Sequence, residues 1–204
     1  MISRESRTAR AVIRDESLRL FAERGPDAVT LRQIAAAAEV SPALVIHHFG
    51  SKRGLRAAVD SYVHGVFDVL FQQMSTLDWH GEDAEVSLAE LMLRNLPSDS
   101  PIPAYLRRLW LSGEEAGLMI FRHWYELTCA VMEQLVAEGI LRPANDPPVR
   151  SAFLMVNDLA LLLLRDQLTV TLGFDPLTVE GIARWAKEGL DVYRGGLFMP
   201  EAAE

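Results

Sequence analysis

One cysteine, Cys129, in 204 residues leaves no internal disulfide framework and suits a reducing compartment. Alternating β-branched runs are nearly absent, so strong helix formers set the fold class, which reads as all-α. The longest unbroken apolar run, Leu159 to Leu164, is too short to span a bilayer. Met1-Ile2-Ser3-Arg4 leads directly into charged residues without an apolar signal core, so a cytoplasmic location and no membrane partner are expected. Catalytic signatures are missing as well: there is no phosphate-cradling glycine motif, no serine nucleophile elbow, no Cys/His metal set and no pair of carboxylates framed by pocket residues. Glu114-Glu115 read as the acidic first turn of a helix. His64 and Asp68 stand four apart, as metal ligands can, but without a second ligand pair. Neither an enzyme nor a cofactor is expected.

Positive charge is scarce overall, with 20 Lys and Arg against 28 Asp and Glu, a net of −8. Its distribution matters more. Residues 1–56 hold ten of the basic and six of the acidic residues, a net of +4, which leaves −12 for the rest. Phosphate attraction acts over about a Debye length, roughly 8–10 Å, so a basic N-terminal module can bind a duplex while an acidic body stays clear of it.

The stretch from Thr30 to Lys52, TLRQIAAAAEVSPALVIHHFGSK, reads as two short helices joined by a tight turn and followed by the start of a third. Thr30 with Gln33 three residues on predicts a capping box. Leu31, Ile34, Ala35 and Ala38 make one apolar stripe, leaving Arg32 and Gln33 on the outer side. Glu39-Val40 forms the turn. Ser41 caps the second helix with Pro42 at its first position, where a missing N–H is harmless. Val45 and Phe49 then point inward, while Ala43, Leu44, Ile46 and His47 make an outer face with no core to fill, continued by His48. Gly50 ends this helix, and Ser51 caps the next, whose free amides and Lys52 can meet a phosphate.

VSPALVIHHFGSK resembles the helix-turn-helix signature of the TetR family of transcriptional regulators, matching it in caps, inward apolar residues, Phe49 and the Gly-Ser-Lys exit. The resemblance implies an N-terminal three-helix DNA-binding domain, residues 1–50, and a C-terminal helical ligand-binding and dimerisation domain, residues 51–204. It implies double-stranded operator DNA as a partner, met by Arg32, Ser41, Pro42, Ala43, Leu44, Ile46, His47, His48, Ser51 and Lys52, with Arg4, Arg7 and Arg10 near the DNA backbone. Two positions depart from the family. Leu44 and Ile46 stand where hydroxyl-bearing Thr and Tyr are usual, so contact with thymine methyl groups replaces hydrogen bonding. Glu39 stands where glycine is common, so either the turn differs or a positive φ is tolerated at about 1–2 kcal/mol.

Along the chain, Arg7 to Arg24 predicts the first helix and Ser51 to about Ser75 a long one joining the two domains. A polar segment, 75–85, follows, from which Trp79 and His80 could fold back. Helices are expected over Val86–Leu96, Tyr105–Leu111, Glu114–Glu138, Val149–Leu172 and Leu177–Tyr193. The middle helices concentrate Met92, Tyr105, Trp110, Met119, Phe121 and Trp124, near Phe67 and Phe71. Such side chains suit an adaptable pocket for a small apolar effector, although at helical spacing they also make an ordinary core. The helix from Val149 is apolar almost all round, and the family implies an intersubunit four-helix bundle, so Phe153, Val156, Asn157, Leu161, Leu164, Ile182 and Trp185 are candidates for a homodimer seam. The sequence therefore reads as a ligand-responsive repressor. The alternative is a helical ligand carrier or enzyme whose helix-turn-helix is vestigial.

Overall fold

The computed structural model describes residues 8–78 and 84–195. Every regular element among them is an α-helix: α1 (Ala9–Arg24), α2 (Leu31–Ala37), α3 (Pro42–Phe49), α4 (Lys52–Met74), α5 (Ala84–Asn95), α6 (Ile102–Leu111), α7 (Glu115–Ala137), α8 (Pro147–Leu163), α9 (Arg165–Leu172) and α10 (Val179–Gly195). Trp79, His80, Arg4 and Arg7 lie outside the described residues. The chain divides into two units. One holds the residues up to Asp68 together with Asp99–Leu127, and the other holds Val69–Ser98 and the residues from Thr128 on.

In the first unit α1 supplies the central wall. Ile13 and Phe21 are fully buried on α1, which packs on α2 and α3, and Ile34 of α2, Val45 of α3 and Leu55, Val59 and Val63 of α4 are fully buried as well. Each such side chain contributes about 1.5–3 kcal/mol by leaving water. Ser17 is the buried polar member, and its hydroxyl donates to the Ile13 carbonyl at 2.6 Å. Arg14 lies 3.7 Å over the Tyr62 ring, tying α1 to α4. From the other side α6 packs on α1 through Leu106 and Leu109.

In the second unit α5 packs along α10, burying Ala89 and Leu91 on one helix and Ile182 and Ala186 on the other. Here the structure corrects the sequence reading. The single helix expected over Val149–Leu172 is two, α8 and α9, bent by 75° at Leu164, whose φ of −110° and ψ of 19° are not helical. The cause is polar. Arg165, arriving after an apolar run, donates to Asp175 from Nε at 3.0 Å and from Nη2 at 2.5 Å, and again from Nη2 to the Ser98 carbonyl at 2.8 Å. A straight helix would pull that guanidinium away from all three acceptors. Among the described residues no single helix is long and apolar enough to cross a membrane.

Candidate functional site

The helix-turn-helix is built from caps outward. Thr30 Oγ1 accepts from the Gln33 amide at 3.3 Å while Gln33 Oε1 accepts from the Thr30 amide at 2.8 Å, closing the expected capping box. Loss of such a cap costs about 1 kcal/mol. The turn carries its strain openly: Glu39 has φ 57°, the one positive value outside glycine among the described residues. Ser41 Oγ then accepts from the Leu44 amide at 3.2 Å, with Pro42 opening α3. Val45 is completely buried. Phe49 is half-buried, with the Arg10 guanidinium 5.1 Å from its ring centre, so the start of α1 lies beside the end of α3.

This anchoring turns the other side of α3 outward. Pro42, Ala43 and His47 are exposed, Leu44 and His48 are half-buried, and Ile46 leaves 43% of its surface to water. His47 and His48 sit in the last turn of α3. Arg32 on α2 is exposed, as is Ser51, whose hydroxyl accepts from the Gly54 amide at 3.1 Å and so caps α4. Lys52 is half-buried, and its ammonium donates to the Asp27 carbonyl at 3.2 Å.

The aromatic candidates separate. Phe67 and Trp124 are buried with ring centres 3.6 Å apart, and Trp110 meets Trp124 edge-on at 5.1 Å. The Trp110 indole nitrogen is buried without a hydrogen-bond partner among the described residues. Tyr105, also buried, donates instead to Asp60 Oδ1 at 2.5 Å. Burial pushes the Tyr105 hydroxyl well above its ordinary range and also raises the Asp60 carboxyl, against the lowering effect of the Tyr105 hydrogen bond. Phe121 is half-buried, whereas Met119 is 61% exposed on α7. Phe71 and Met92 are half-buried in the second unit.

The seam candidates separate as well. Phe153 and Val156 are 66% and 53% exposed, and Leu164 is exposed beside them in sequence. Asn157 donates to the Tyr193 hydroxyl at 3.1 Å, joining α8 to α10. Leu161 and Ile182 are buried, and Trp185 is half-buried.

Two residues of consequence were hidden from the sequence. His123 on α7 comes within 2.6 Å of Asp68, and its ring stands 5.2 Å from that of His64, whose pKa is lowered first by burial and then by His123. Among the described residues, however, no group of three or more His, Cys, Asp and Glu is arranged to hold a metal ion. Gly54 is the other. A Cβ there would stand 2.2 Å from the Phe49 carbonyl oxygen, so only glycine lets the first turn of α4 approach the end of α3 this closely. An isolated glycine inside a helical pattern was the available signal.

Comparison with known proteins agrees with this geometry. The family described as "Bacterial regulatory proteins, tetR family" matches residues 13–59, and "Tetracyclin repressor-like, C-terminal domain" matches residues 98–199. The transcriptional regulatory protein RaaS of Mycobacterium tuberculosis is 36% identical over 149 residues, 73% of this chain and 67% of its own. The transcriptional repressor KstR2 of Rhodococcus jostii is 30% identical over 164 residues, 76% and 78% of the two chains. The crystal structure of AibR in complex with isovaleryl coenzyme A and operator DNA superposes with a TM-score of 0.60 at 19% identity, covering 91% of this chain and 97% of that one.

Proposed function

Because the chain belongs to the TetR family of transcriptional regulators, we propose that it binds a near-palindromic operator as a homodimer through residues 1–50 and releases it when a small apolar effector enters residues 51–204. The observation that carries this reading is the outer face of α3: Val45 and Phe49 fix the helix to the core, and Ala43, Leu44, Ile46, His47 and His48 are left facing outward or only half-covered. An apolar side chain such as Ile46 gains little from water and can meet a thymine methyl group in the major groove. Arg32, Ser41, Pro42, Ser51 and Lys52 are then the phosphate-side contacts, and Lys52 exchanges the Asp27 carbonyl for a phosphate oxygen on binding.

Exposed Phe153 and Val156 on α8, with exposed Leu164 at its end, supply the seam, because apolar surface of this kind favours a second copy. Asn157, Leu161, Ile182 and Trp185 lie around it, Leu161 and Ile182 as the packing that holds its helices in place. For the effector, Phe67, Tyr105, Trp110 and Trp124 form the centre, with Phe71, Met92, Met119 and Phe121 as further candidates. AibR is described with both an acyl thioester and operator DNA, and a short acyl chain is the size of group that an aromatic cluster can admit. Coupling runs along α4, which starts beside α3 and continues past Phe67 and Phe71. A tenfold change in DNA affinity needs about 1.4 kcal/mol of preference for one arrangement of that helix.

Selection of bound fragments from random duplex DNA, followed by binding measurements at two salt concentrations, tests this reading. Lys52→Ala should weaken all sequences alike and flatten the salt dependence, while Ile46→Ala and Leu44→Ala should change base preference. Equal losses on every sequence for all three variants would remove the base-reading role of Leu44 and Ile46. No enrichment of any sequence by the parent protein would return the vestigial reading.

A further inference from the structure

A cleft of about 630 Å³ opens in the first unit, where α6 meets the turn between α1 and α2. Four arginines, Arg24, Arg56, Arg107 and Arg108, are among the residues that line it, against two acidic residues, Asp27 and Glu114. The lining is thus net positive in a chain whose overall charge is −8. Glu114 is already engaged, as the ion-pair partner of Arg56. Arg108 donates from Nε to the Ala22 carbonyl at 2.7 Å and from Nη2 to the Glu23 carbonyl at 2.6 Å. Those carbonyls fix the side chain but leave its charge unneutralised. Its remaining Nη1 lies toward Gly25, 3.9 Å from where a Cβ would stand. Among the described residues neither Arg24 nor Arg108 pairs with a carboxylate.

We propose that this cleft binds a small phosphate-bearing molecule, an organic phosphate or diphosphate. Guanidinium groups match paired phosphate oxygens through two parallel hydrogen bonds, and several around one cavity favour a multiply charged anion over a single carboxylate. The volume falls within the range of small-molecule sites, about 300–1,000 Å³. Arg24 stands about 21 Å along α1 from Arg10, which marks the α3 end of that helix, while Asp27 of the lining is the residue whose carbonyl accepts from Lys52. The cleft is lined by none of Phe67, Trp110 and Trp124, and it adjoins the proposed effector centre through Tyr105, which lines it. Arg24 ends α1 and Arg107 lies on α6, so an occupant that meets both bridges the two helices.

Calorimetric titration of the intact protein with inorganic pyrophosphate, at an ionic strength held constant with sodium chloride, is the test. Saturable binding is expected. It should weaken tenfold or more in the Arg24→Gln/Arg107→Gln double variant and stay unchanged in Arg94→Gln, a surface change on α5. Arg108 is left intact because it holds the end of α1. If the double variant fails to fold, Arg24→Gln alone should weaken binding at least threefold. Heats that merely follow ionic strength, or equal affinity in the parent and the cleft variants, overturn the proposal. Neither result bears on operator binding through α3.

Discussion

Glu39 offers a measurement in which the backbone alone is at stake. Its φ of 57° lies in the left-handed region, where a residue with a Cβ is strained by about 1–2 kcal/mol. Glycine removes that strain but gives the unfolded chain more freedom, which takes back about 0.4–1 kcal/mol. The Glu39 side chain has an interaction of its own, so Glu39→Gly against the parent mixes two effects. Comparing Glu39→Gly with Glu39→Ala separates them, since both lose the side chain and only alanine keeps the strain. Glycine should be the more stable by about 0.5–1 kcal/mol, the reverse of the roughly 1 kcal/mol that the same exchange costs inside a helix. For a chain of this size that is a melting difference of roughly 1–4 °C, and urea denaturation gives the free energy directly. Equal stability, or alanine above glycine, would refute the claim that this turn stores strain.

Phe153→Glu and Val156→Glu should separate the dimer with little harm to the protomer's own packing, because both side chains are more than half exposed within it; an intact dimer in sedimentation would move the seam elsewhere. Asp175→Asn should lower stability at pH 7 by about 1–2 kcal/mol, as it breaks a two-point bond to Arg165 that is only partly exposed. The hydrogen bond from Arg165 depresses the Asp175 pKa in the folded state, so the stabilisation is full above the ordinary carboxylate value near 4 and is lost as pH falls through the lower folded value. The deficit of the variant should therefore shrink on acidification, and a deficit independent of pH would count against the assignment. Gly65→Ala, with open space around it, should stabilise α4 by about 0.5–1 kcal/mol, whereas Gly54→Ala should destabilise by about 1–3 kcal/mol and weaken DNA binding. Similar effects of the two in parallel melts would mean that the contact with Phe49 is not close.

The DNA-reading half was legible in the sequence because its signals are local. Thr30 with Gln33, Ser41 with Pro42, and Ser51 each name a helix start within three residues of the bond they make. Ile34 and Val45 followed from period alone. The bend at Leu164 was not legible, because its cause is Arg165 reaching Asp175 and Ser98, partners 10 and 67 residues away. Nor was the fate of Tyr105, which periodicity cannot assign between an effector and Asp60, 45 residues earlier. Met119 and Phe121 differ in exposure for the same reason: a rich apolar helix has more than one apolar side, and neighbours decide which is covered.

The contact between Gly54 and the Phe49 carbonyl divides the protein's capacity to change. Positions 43, 46 and 47 have exposed side chains that can be exchanged without disturbing the core, so on the proposed reading a new operator preference can be acquired there one residue at a time. Position 54 has no such freedom, since any other side chain pushes the recognition helix off the start of α4. What is read and how the reading is switched are therefore separable heritable traits. A library varied at positions 43, 44, 46 and 47 should yield variants with new targets that still answer to the parent's effector, while one varied at position 54 should return glycine.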